Sequence, residues 1–147
     1  MASSEVSIER LAPAGHPFDW ASPVGISLGL KVANAVFVSG QVAVDERGGV
    51  VGVGDVDAQL HAIFSNIGMI LAEAGADFSH VVKLNTYYVL PEGWTDVKAF
   101  YDRMAAVRLD YLKPPGPAAT AVRVVGLSHP DWLFEVDAVA IVPTTAK

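Results

Sequence analysis

An α+β fold is predicted here, a single mixed sheet with two helices on one of its faces. Three observations lead to it. Short runs of β-branched and aromatic residues, bounded by Gly and Pro, read as strands. Two longer segments repeat apolar residues at helical spacing. The two kinds alternate as ββ-α-β-α-ββ, and an extra strand over residues 6–11 brings the sheet to six. Two helices are too few to cover both faces of such a sheet.

Each element follows from its residues. Residues 1–23 form a lead-in, irregular over the Pro-, Gly- and Ala-rich stretch 10–23. Residues 25–32 make a strand in which Ile26, Leu28 and Leu30 alternate with smaller side chains. Residues 35–39 pair back on it as a hairpin across 31–34, and glycines at 48, 49, 52 and 54 mark a loop. Asp55 suits a helix N-cap. After it, Val56, Leu60, Ile63, Phe64, Ile67, Ile70, Leu71 and Ala74 form one broad apolar face, and Gly75 suits the position after the last turn. A strand follows at 81–90. Thr95 is placed to cap a second helix with a stripe of Val97, Tyr101, Met104, Val107 and Tyr111, stopped by Pro114, Pro115 and Pro117. Strands at 118–125 and 133–142 close the chain. In the last one, Phe134, Val136, Ala138 and Ala140 share one face, and Leu133, Glu135, Asp137, Val139 and Ile141 the other.

The totals narrow the function classes. A chain of 147 residues with no low-complexity segment, repeat or long linker is expected to be one domain. It is 52% hydrophobic and 18% charged, with a mean hydropathy of +0.37. Apolar area of that order in so small a chain is either largely inside or partly buried against further copies of itself, and the second reading predicts an oligomer. No apolar run reaches the ~20 residues of a membrane span. The first residues lack a basic segment followed by an apolar core, so a cytoplasmic protein is expected. There is no cysteine, which excludes disulfides and thiolate chemistry. The net charge of −6 and scattered basic residues argue against a nucleic-acid partner.

In order along the chain, several segments resemble the RidA (YjgF) family of enamine/imine deaminases, also known as endoribonuclease L-PSP-like proteins. They are Phe37-Val38-Ser39-Gly40-Gln41, the helix from Asp55 through Asn66 and Ile67, Leu71 to Ala76, Val81-Val82-Lys83, Tyr101, and Glu135 to Ala140. The match runs over roughly residues 24–142. The resemblance implies a chorismate-mutase-like fold, a homotrimer with a cleft at each subunit interface, and hydrolysis of a small enamine or imine without metal or organic cofactor. It places the family's glutamate, which orients or deprotonates water, on Glu135, and the substrate-holding turn on Ser39 and Gly40. The position of the family's carboxylate-gripping arginine holds Ala119. A cleft tyrosine position holds Ile26, and a cleft asparagine position holds Lys98. These six residues are the expected site.

The residues also speak for themselves. Glu135 and Asp137 sit two apart on one strand face, their Cα atoms roughly 6–7 Å apart. A carboxylate on a partly apolar face has its charged form disfavoured, which makes it a better base; an outward-facing solvated pair is the plain alternative, and Asp137 reads as a structural partner. Lys98 could hold an anion as a point charge or form a Schiff base if buried, against the alternative of an exposed helix lysine. Arg123 shares a strand face with Ala119 but lies roughly 13 Å further along. Ser39 lacks the surroundings of a nucleophile elbow and reads as a hydrogen-bonding turn serine. His16, His61, His80 and His129 show no metal-ligand spacing. His16, Phe18 and Trp20 form an aromatic cluster that could line a cleft mouth, against the plain alternative of packing over the sheet edge. The expected activity is hydrolytic deamination, the rival a non-catalytic ligand-binding or regulatory trimer.

Overall fold

A computed structural model of the protein describes residues 6–17 and 24–143. Its strands are β1 (Ile8–Leu11), β2 (Gly29–Val32), β3 (Ala35–Gln41), β4 (Val81–Tyr88), β5 (Ala118–Arg123) and β6 (Phe134–Ile141). Its two long helices are α1 (Val56–Glu73) and α2 (Val97–Tyr111). The sheet runs β1-β2-β3-β6-β4-β5. Every pairing is antiparallel except β4 with β5, which the α2 crossover makes parallel. The six-stranded mixed sheet with two helices is therefore the predicted architecture.

Alternation along β6 sets the layers. Phe134, Val136, Ala138 and Ala140 are all buried beneath the helices. From α1 they meet Leu60, Ile63, Phe64, Ile67, Ile70 and Leu71 in one core. Asp55 caps α1 by accepting from the amides of Asp57 and Ala58, and Gly75 follows its end at φ 74°. Gly29 lets α1 lie close on β2: a Cβ there would stand 2.7 Å from Ile70 Cγ2 and 2.9 Å from the Phe37 carbonyl.

Three details differ from expectation. The cap of α2 is Asp96, whose carboxylate accepts from the Ala99 amide at 2.9 Å, one residue after Thr95. A carboxylate at that place also meets the positive end of the helix dipole. The α2 core face is Phe100, Met104 and Val107, while Val97 and Tyr101 are exposed. Phe100 turns inward because it stacks on Phe134 with centroids 5.6 Å apart and meets Tyr88 and Trp94 as well. Finally, β2 begins at Gly29 rather than residue 25, leaving Ile26 in an irregular approach, although the Leu28 carbonyl still accepts from the Ser39 amide at 2.9 Å.

Among the described residues the opposite face of the sheet has no helix. Phe37, Tyr87, Val122 and Ile141 are exposed there beside Glu135, Asp137 and Val139. No helix among the described residues is long and apolar enough to cross a membrane.

Candidate functional site

A bulge in β3 shapes the site. Val38 pairs with Ala138 and Gln41 with Val136, so Ser39 and Gly40 together face the single residue Asp137. Two residues opposite one bend the strand and free its backbone groups from the ladder. Ser39 donates its hydroxyl to the Ser27 carbonyl at 2.6 Å, tying the bulge to the segment before β2. Buried Gln41 donates to the Ser39 carbonyl at 2.9 Å and fixes the bulge from the other side. Behind Gln41 lies His16, which hydrogen-bonds it and is held below its ordinary pKa by burial, partly offset by that bond. Phe18 and Trp20, the expected companions of His16, lie outside the described residues.

Glu135 stands directly over the bulge. A Cβ on Gly40 would come within 2.1 Å of Glu135 Oε1 and 2.9 Å of its Cδ. Only glycine leaves room for the carboxyl group at that spot. Burial raises the Glu135 pKa, and the negative charge of Asp137 raises it further. Asp137 itself accepts from Asn85 Nδ2 at 2.8 Å across the β4–β6 pairing. Among the described residues the side chain of Glu135 has no ion pair or hydrogen bond, so its carboxyl is uncommitted.

A cavity of about 170 Å³ opens beside it, lined by Ile26, Ser27, Leu28, Ser39, Gly40, Gln41, Val42, Ser128, Trp132 and Glu135. Among the described residues its wall is apolar with uncharged polar groups, and Glu135 is the one charged residue on it. Gln59, fully buried on α1, keeps the far wall in place. Its Nε2 donates to the Asp131 carbonyl at 2.7 Å and its Oε1 accepts from the Leu133 amide at 2.8 Å. Those bonds fix the loop that carries Ser128 and Trp132 to the mouth of the cavity.

Four of the six expected site residues, Glu135, Ser39, Gly40 and Ile26, meet at this cavity. Lys98 and Ala119 do not reach it within one chain. Lys98 is an exposed α2 residue hydrogen-bonded to Asp102 one turn on. Ala119 pairs with core residue Leu84 on edge strand β5, whereas Glu135 pairs with Tyr87, whose side chain takes the opposite face. Sequence reasoning missed Ser27, Gln41, Gln59, Ser128 and Trp132. Gln59 left a signal: an amide flanked by Val56, Leu60 and Ile63 on an apolar helix face needs buried partners. Among the described residues no cluster of three or more His, Asp or Glu side chains could hold a metal ion.

A six-stranded mixed sheet carrying two helices is a RidA-like architecture. The chain belongs to the Endoribonuclease L-PSP family, the RidA or YjgF family, whose model matches residues 23–142. A RutC family protein of Pyrococcus abyssi is 36% identical over 119 residues, covering 80% of this chain and 87% of the relative. The 3-aminoacrylate deaminase RutC of Acinetobacter baylyi is 34% identical over 132 residues, covering 90% and 96%. The crystal structure of RidA from the Antarctic bacterium Psychrobacter sp. PAMC 21119 superposes with a TM-score of 0.75 at 26% identity, covering 91% of this chain and 99% of that one.

Proposed function

We propose that the protein hydrolyses a small enamine, imine or activated carbonyl compound, releasing ammonia from the nitrogen compounds, with Glu135 as the base. The observation that carries this is an uncommitted carboxyl with a raised pKa, set over the glycine of a backbone bulge at the end of a small cavity. Kinship with a protein named 3-aminoacrylate deaminase supports the reaction class. An enamine first takes a proton on carbon and becomes an iminium. Water then adds to the iminium carbon while Glu135 accepts one of its protons. The same proton passes to the nitrogen, the C–N bond breaks with its electron pair going to nitrogen while the remaining hydroxyl proton passes to Glu135, and ammonia leaves a neutral carbonyl product. A pKa raised by burial makes the carboxylate a stronger base and suits a group that must both take and return a proton. Ser39 and the backbone at Gly40 hold the polar atoms of the substrate.

The uncovered sheet face supports a homotrimer, with Phe37, Tyr87, Val122 and Ile141 as its buried contacts. In that assembly Ala119 or Lys98 would reach the cavity from a neighbouring subunit. Sedimentation velocity checks the trimer. The reaction is tested by following ammonia release from 2-aminoacrylate and a panel of carboxylate-free imines. Glu135→Gln is expected to lower kcat by at least a hundredfold on every substrate the wild type turns over, and unchanged turnover would overturn the assignment. A wild type that binds such compounds without turning any over would instead be the ligand-binding trimer, which is favoured by the absence of a cation among the described residues of the cavity wall.

A further inference from the structure

Charge at the cavity is of one sign. Among the described residues that line it, Glu135 alone carries a charge. Asp137 stands two residues on, on the same face of β6. Resting on the hydrolase reading above, we infer that this pocket takes its substrate as a cation, the iminium of a small apolar ketone or aldehyde that carries no carboxylate.

Two effects tighten the hold of Glu135 on its proton. Burial raises its pKa first, and the field of Asp137 raises it further. That field favours any positive charge at the same place, an iminium as much as a proton. It opposes a substrate carboxylate, which would set a third negative charge beside two. Nothing basic offsets it in the wall among the described residues. Arg10 stops outside: it donates from Nη1 to Ser27 Oγ at 2.6 Å and does not line the cavity. Residues 18–23, outside the described part, contain no lysine or arginine. Lys98, which a neighbouring subunit would bring, comes hydrogen-bonded to Asp102, and Ala119 brings no charge.

The remaining lining suits the carbon part of such a guest. Ile26, Leu28, Val42 and Trp132 contribute the apolar wall of a cavity of about 170 Å³. A cavity of about 150 Å³ admits benzene, so the guest has on the order of six non-hydrogen atoms. The reaction balances on the same charge. One iminium and one water give one carbonyl compound and one ammonium ion, once Glu135 passes its last proton to the departing ammonia. A positive charge therefore faces the carboxylate on binding and leaves with nitrogen.

Three ligands of one size and shape test the charge without relying on turnover: isobutyramidinium is a cation, isobutyramide is neutral and isobutyrate is an anion. Calorimetric titration of the wild type should show the amidinium bound at least tenfold more tightly than the amide, and isobutyrate more weakly than either. Glu135→Gln should bring the amidinium and the amide within about threefold of each other, and its retained amide binding shows that the variant is folded. Arg10→Met should leave the order of the three ligands unchanged. In turnover, the imine of 3-methylbutan-2-one should have a kcat/KM at least tenfold above that of 2-iminopropanoate. No saturable amidinium binding, isobutyrate bound as tightly as the amidinium, an amidinium preference that survives Glu135→Gln, a changed order in Arg10→Met, or faster turnover of 2-iminopropanoate would each overturn the inference. The hydrolase reading fails separately: a Glu135-dependent preference for the amidinium with no ammonia release from any imine leaves the cation pocket standing and removes the reaction.

Discussion

Phe134 and Glu135 are consecutive residues of β6, yet one faces a core and the other a pocket. The covered face is closed by α1 and α2, and its residues Phe134, Val136, Ala138 and Ala140 are nearly inaccessible. The open face presents Glu135, Asp137 and Val139 beside a bulged neighbour strand. Close packing on one side holds the strand rigid. That rigidity lets the other side keep an awkward group, a half-buried carboxyl pressed against a backbone glycine. Stability and chemistry are thus divided by the pleat, and substitutions on the two faces should have separable effects.

The largest effect is expected on the covered face. Phe134→Ala removes a ring that stacks on Phe100 in a fully buried site. It should cost about 3–5 kcal/mol of folding stability, read as a lower urea midpoint. A loss below about 1 kcal/mol would mean that the helices are not firmly seated on this face.

Gly40→Ala should do the reverse. The new methyl group meets the end of a flexible side chain rather than backbone, so the fold can yield by rotating Glu135 away. We expect kcat/KM to fall at least tenfold while the unfolding midpoint barely moves. Equal activity with a normal midpoint would show that the position of Glu135 over the bulge is immaterial to turnover.

The same division explains what could be read from the sequence. Helical spacing from Val56 to Ala74 and alternation along Phe134 to Ile141 are properties of contiguous residues, so the sheet, both helices and the two faces of β6 were legible. The core face of α2 was misjudged because residues 97, 101 and 104 and residues 100, 104 and 107 are both helical stripes. The stacking of Phe100 on Phe134 chooses between them, and that contact is tertiary. Of the residues lining the cavity, Ser39, Gly40 and Glu135 are singled out by a family resemblance and the strand pattern. Ser27, Ser128 and Trp132 are not, since a bulge and a loop pinned by Gln59 bring them in.

Titration gives a finer contrast between the faces. Glu135 holds its proton more tightly in the folded chain than in the unfolded one, because burial disfavours its charge. Between the ordinary carboxylate range and its raised value, the unfolded state ionises while the folded state does not. Stability attributable to this residue therefore falls as pH rises through that window, then levels off. Glu135→Gln should remove that slope and be at least as stable as wild type at neutral pH. Denaturant midpoints measured from pH 4 to 8 would show it. A Gln variant that loses stability uniformly across the range would mean that the carboxylate is favourably held in the fold.

The smallest effect should come from Asp137→Asn. The negative charge of Asp137 is the second cause raising the Glu135 pKa, after burial. The amide oxygen introduced by the substitution can still accept from Asn85 Nδ2, so the cross-strand bond survives while the charge is lost. Without that charge Glu135 ionises more readily. If Glu135 acts as its anion, activity rises with pH as the group loses its proton, and the acidic limb of the kcat profile should move to lower pH in the variant. Its plateau should stay close to wild type, because the geometry over Gly40 is untouched. The shift is confined to the acidic limb, since Asp137 acts here through its charge alone. A limb that stays in place while the plateau falls would assign Asp137 a positioning role, with its bond to Asn85 rather than its field as what Glu135 depends on.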